Sequence, residues 1–150
     1  MNKVIMLLAI IIAGNICFGQ TQFPIKEKNV PQYCLENFQQ KYPDATSVQW
    51  MQGDPGFIDV IFVSNNKSLN ATYAGSGGWV STSEKFPVDS LPMIDYQFII
   101  DKFPKAKILL LWKTDTVVGL RWEVQARKKK LYEFVFDMNG LNIGYGPANQ

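Results

Sequence analysis

Leu35, Phe38 and Tyr42, with Cys34 beside them, recur at spacings of three and four, while Gln32, Glu36, Asn37, Gln39 and Gln40 fill the positions between. That pattern predicts an amphipathic helix with one apolar stripe. Pro31 suits its first turn, where a missing N–H costs nothing, and Asn29 offers a side chain to the free amides. Pro43 disfavours helical geometry at Tyr42, so the helix should stop near Lys41. Beyond it the period changes to two. Val48 and Trp50 are expected on one side of a strand, Gln49 and Met51 on the other. Gly53-Asp54-Pro55-Gly56 turns the chain into Phe57 to Phe62, rich in β-branched and aromatic residues, and Ser64 to Lys67 turns it again. Leu69, Ala71 and Tyr73 alternate through a third strand, and Gly75-Ser76-Gly77-Gly78 leads into a fourth at Trp79.

The same punctuation returns. Ser90-Leu91-Pro92 opens a second helical pattern that closes in Phe103-Pro104-Lys105-Ala106, as Asn29-Val30-Pro31 opens one that closes in Tyr42-Pro43-Asp44-Ala45. Tyr96, Ile99 and Phe103 answer Leu35, Phe38 and Tyr42 at one constant spacing, with Ile94 and Phe98 broadening the stripe. Strands are expected at Ile108 to Trp112, Gly119 to Ala126, Leu131 to Asp137 and Leu141 to Tyr145, with Asn139-Gly140 a hairpin signal. A fixed offset with shared punctuation predicts a duplicated unit. The expected fold class is α+β, a tandem repeat of one helix plus a four-stranded antiparallel meander, with the helices on one face of the sheets. Residues 29–82 would form the first copy, 83–89 a connector, 90–146 the second copy and 147–150 a tail. The predicted core is Leu35, Phe38, Val48, Trp50, Ile58, Val60, Phe62 and Tyr73 in the first copy. In the second it is Tyr96, Ile99, Leu109, Leu111, Trp122, Val124, Tyr132, Phe134 and Phe136.

Ahead of this, Met1-Asn2-Lys3 gives a cationic start, Val4 to Ala13 an apolar run, and Cys17-Phe18-Gly19 a small-x-small pattern. The reading is a secretory signal over residues 1–19, cleaved after Gly19, and hence a periplasmic or secreted protein with a flexible leader over 20–28. The apolar run is shorter than the roughly 20 residues that cross a bilayer. A lipid anchor on Cys17 is the rival, but Asn15 and Ile16 are not the small pair such processing wants. Cleavage would leave Cys34 as the one cysteine, without a disulfide partner, and it reads as a small buried apolar residue.

The punctuated segments just quoted, together with Phe57 to Phe62, Gly78-Trp79, Trp122-Glu123-Val124, Tyr132 to Asp137 and Gly140, resemble the PepSY-like, β-lactamase-inhibitor-like family of secreted bacterial proteins. The resemblance spans Val30 to about Tyr145. It implies a fold similar to β-lactamase inhibitory protein, in which a concave sheet grips a partner protein. No inhibitory loop motif carries over onto these residues.

Composition narrows the chemistry. The sequence contains no histidine, which removes Ser-His-Asp and Cys-His catalysis and the usual zinc sites. Asp54, Asp59, Asp115, Glu123, Glu133 and Asp137 read as turn or solvent-side carboxylates rather than an acid–base pair. The formal net charge of +2 becomes nearly neutral once Lys3 leaves, and that argues against a nucleic-acid partner. Gly75 to Gly78 lacks the Lys-Ser/Thr and the helix of a phosphate cradle, and Arg127-Lys128-Lys129-Lys130 reads as a solvated loop. No enzyme activity, cofactor or metal is expected. If Leu109 and Leu111 point inward, Ile108, Leu110 and Trp112 point outward to join Met51, Phe57 and Ile61. Gln49, Asp59, Arg121, Glu123, Gln125 and Arg127 would then form a polar border. An apolar centre with a charged rim is how protein-binding patches are built. Two registers stay open, because Ile108 to Trp112 is an unbroken apolar run. The expected function is a non-catalytic secreted or periplasmic module that docks a protein or peptide of the cell envelope on this face, possessing an inhibitory role at most by resemblance. The alternative is a carrier of a small ligand or lipid in an aromatic cavity between sheet and helices.

Overall fold

A computed structural model describes residues 22–148; the expected signal segment 1–19 lies outside the described residues. Nine strands run β1 (Phe23–Pro24), β2 (Thr46–Gln52), β3 (Phe57–Ser64), β4 (Lys67–Ala74), β5 (Trp79–Phe86), β6 (Lys107–Thr116), β7 (Gly119–Arg127), β8 (Leu131–Asp137) and β9 (Asn142–Pro147). Two α-helices accompany them, α1 (Gln32–Lys41) and α2 (Met93–Lys102), each of ten residues. The helices follow from local rules. Pro31 and Pro92 cap their starts, and Tyr42 and Phe103, each preceding a proline, leave helical geometry at φ −130° and −134°. Asn29 does not cap: it lies in a 3-10 turn, Glu27–Asn29, and α1 has no side-chain cap bond.

The strands correct the expected fold class. Instead of a tandem repeat of two helix-plus-four-strand meanders, all nine are hydrogen-bonded in one sheet in sequence order, β1 to β9. A meander ending at β5 would leave a bare row of amides and carbonyls at its edge. Here β6 lies beside β5, and the hydroxyls of Ser83 and Thr114 hydrogen-bond at 2.9 Å. The chain packs as two compact units whose boundaries cut across the expected copies, one drawing on residues 22–85 and 112–120, the other on 86–111 and 121–148.

In the first unit α1 lays Cys34 and Phe38 on Trp50, Ile58, Val60, Phe62, Ala71 and Tyr73. Phe38 is the hub, with ring centroids of Trp50 and Phe62 at 5.2 and 5.0 Å in edge-on contact. Val48, expected in this core, is 39% exposed. The cause is local: Ser47 takes a left-handed φ of 53° and the β2–β3 register slips between Thr46 and Gln49, so alternation breaks before Trp50.

In the second unit Leu91, Ile99, Leu111, Trp122, Val124, Ala126, Phe134 and Phe136 make the core. Tyr145 stacks on Phe134 at 5.7 Å. The buried stripe of α2 runs through Asp95 and Ile99, not Tyr96, which is exposed along with Ile94. Leu109, also expected inside, is half-buried.

Candidate functional site

Within the first unit the sheet has one side against α1. Trp50, Ile58, Val60 and Phe62 take that side, so alternation along β2 and β3 turns Met51, Phe57, Asp59 and Ile61 to the other. Met51, Phe57 and Ile61 are half-buried there. Register places Met51, Asp59 and Thr72 in one row across three strands. Thr72 Oγ1 donates to Asp59 Oδ1 at 2.6 Å and Gln22 Nε2 donates to Oδ2 at 3.0 Å. Asp59 is 8% exposed, and the turn closes over it so tightly that a Cβ on Gly53 would sit 2.8 Å from Oδ2. Burial pushes its carboxyl up, the Thr72 hydrogen bond partly offsets that, and the charge of Asp54 adds to it. Asp59 is therefore a buried, bonded group between Met51 and Thr72 rather than part of a solvated border. Trp112, at the β6 end of this unit, is half-buried.

Within the second unit Leu110 is half-buried, and Ile108 packs against the helix-side cluster with Leu111. Ile108 therefore touches the helix-side cluster, the contact expected if it is core rather than outward-facing. Arg121 and Glu123, expected at an exposed charged rim, are 6% and 2% exposed. Two residues apart on one strand they share a side, and Arg121 Nε donates to Glu123 Oε1 at 2.6 Å. Opposite charges that satisfy each other tolerate burial that either alone would not. Gln125 continues the row, buried, donating to Glu133 Oε1 across the strands at 3.1 Å. Burial and the charge of Glu123 raise the Glu133 carboxyl, and the Gln125 bond lowers it.

The aromatic residues on the helix side of this unit pack against one another. Phe98, Phe103, Phe134, Phe136 and Tyr145 lie in mutual ring contact at 5.6 to 6.4 Å, filling the space with one another. A groove of about 510 Å³, unforeseen in the sequence, opens instead beside Leu91, Met93, Tyr96 and Ile108. Among the described residues no group of three or more His, Cys, Asp or Glu side chains is placed to hold a metal ion. No described helix is long and apolar enough to cross a membrane. Arg127 to Lys130 is exposed at the β7–β8 turn.

The fold defined by these strands and helices is that of BLIP-like proteins. A BLIP-like protein of Bacteroides fragilis superposes with a TM-score of 0.65 at 12% identity, over 79% of this chain and 86% of that one. A DUF2874 family protein of Bacteroides ovatus gives 0.66 at 18% identity, over 78% and 86%. A Bacteroides eggerthii protein described provisionally as periplasmic gives 0.66 at 16% identity, over 79% and 88%. At these identities the likeness is one of fold. No protein-family model and no curated protein matches the sequence.

Proposed function

We propose that this chain is a non-catalytic periplasmic binding module that docks a protein or peptide on the helix-free side of its sheet. One observation carries the reading. In the first unit Met51, Phe57 and Ile61 stay half-buried around Asp59, whose oxygens are already bonded to Thr72 and Gln22, so the patch is a pre-formed mixture of apolar and polar side chains unspent by α1. Preorganised surfaces of this kind hold partners because little ordering is left to do on contact. The absence of histidine from the whole sequence and the provisional periplasmic description of a fold relative support the non-catalytic and periplasmic parts. The resemblance of Tyr42-Pro43-Asp44-Ala45 and Phe103-Pro104-Lys105-Ala106 to PepSY-like segments agrees with secretion.

The test is site-specific photo-crosslinking in the native envelope. A benzophenone side chain at Ile61 should give one discrete adduct, which Phe57→Ala should reduce about tenfold without moving the melting temperature by more than a few degrees. The same probe at Gln39, exposed on α1, is the control. Equal labelling from both positions, or unfolding of the Phe57 variant, would defeat the reading.

A further inference from the structure

Asp95 is the third residue of α2; none of its surface reaches solvent, and neither carboxylate oxygen has a hydrogen-bond partner. A side chain at this point of a helix ordinarily reaches back to the N–H of the capping residue, but the cap here is Pro92, which has none. The facing wall is the β8–β9 hairpin, residues 137–141. Gly140 approaches so closely that a Cβ there would lie 2.6 Å from Cγ2 of Ile94 and 3.3 Å from Oδ1 of Asp95. The hairpin is closed on itself: Asp137 Oδ1 accepts from the N–H of Asn139 at 2.8 Å and of Leu141 at 2.9 Å, and the Gly140 N–H donates to the Asp137 carbonyl at 3.2 Å. Asp137 is the charged group that faces Asp95 from the hairpin, and those amide bonds hold it ionised. Asp95 is the acidic residue of the first turn of its own helix, and among the described residues no cation pairs with it.

We propose that Asp95 and the 137–141 hairpin form a proton-operated latch. A neutral Asp95 lets the hairpin rest on the first turn of α2; an ionised Asp95, facing the fixed charge of Asp137 with no counter-ion, drives the hairpin outward until water reaches the carboxylate. Burial, with the Asp137 charge adding to it, pushes the Asp95 carboxyl up to about 6, which puts the changeover between mildly acidic and neutral pH. The closed form holds the proton more tightly, so raising the pH favours the open one. With an open-state value of about 4, the closed-to-open ratio falls about a hundredfold in all, about tenfold of it between pH 5 and 7.5.

Amide hydrogen exchange at residues 138–141, corrected for intrinsic rates, reads the latch directly. Protection should drop about tenfold between pH 5 and pH 7.5 in the natural chain and stay high and flat in Asp95→Asn. Asp137→Asn, whose amide oxygen still accepts both backbone bonds, should move the changeover to lower pH. Protection that ignores pH in the natural chain, or a pH dependence that survives Asp95→Asn, overturns the proposal. Should Asp95→Asn fail to fold, the ¹³C carboxyl resonance of Asp95 decides: a midpoint near 6 moving in step with the hairpin amides sustains the latch, and one at the ordinary value of about 4 ends it.

Discussion

Cys34 and Asp95 hold the same place, third residue of their helices, and both are wholly buried, yet they are chemically opposite. Cys34 suits the site: its thiol donates to the Ala74 carbonyl at 3.4 Å, and burial pushes its pKa up, with a backbone hydrogen bond from Gly77 opposing. A thiol with no exposed surface and a suppressed thiolate reacts only on unfolding. In a chain starting at Gln20, a thiol-reactive chromogenic disulfide should therefore label Cys34 at least about a hundredfold more slowly in buffer than in 8 M urea, a factor set by how seldom the site opens. The sequence made Cys34 readable as buried because it sits in an apolar stripe. Asp95 was not readable that way, since a lone aspartate in a helix ordinarily faces water, and the one available signal was its position relative to Ile99. Arg121 and Glu123 misled for the same reason: alternation tells which side a charge takes, not whether another charge on that side will bury it.

Among elements, the helix ends and strand cores were legible because each has a local cause. Pro43 and Pro104 stop the helices, and period-two runs mark β3, β7 and β8. Two features were not. The slip at Ser47 that expels Val48 depends on backbone geometry that no side chain announces, and the pairing of β5 with β6 is a choice between strand edges to which periodicity is blind. The hairpins that meet the helix starts can be tested separately. Gly77 has φ +96°, and a Cβ on it would stand 2.5 Å from Cβ of Tyr33, while Gly78 has open space around its own. Gly77→Ala should cost about 2–4 kcal/mol by combining a strained backbone with a backbone-adjacent clash. Gly78→Ala should stay within about 0.5 kcal/mol, as surface changes do. Urea midpoints of the two variants make the comparison, and equal losses would mean that the hairpin does not bear on α1.

At the scale of the whole chain, proton linkage has a definite sign. Asp59, Asp95 and Glu133 all have carboxyls raised by burial, so each stabilises the fold while protonated and loses that contribution as pH climbs through its folded value. Asp137, lowered by its amide bonds, works in the other direction and gives its share at higher pH. Three against one, the balance favours mild acid. Melting temperature should be higher at pH 5 than at pH 8, and Asp95→Asn should remove the largest part, about 1.4 kcal/mol, because about half of the linkage from a shift of roughly two units falls inside that interval. A profile rising towards pH 8 would contradict the burial of these groups. Both outermost strands carry a proline, Pro24 on β1 and Pro147 on β9. Since proline brings no amide hydrogen, an extended foreign peptide arriving at either margin meets a gap in the ladder it would need to copy. Both margins of the sheet are thereby poorly suited to seeding fibrils.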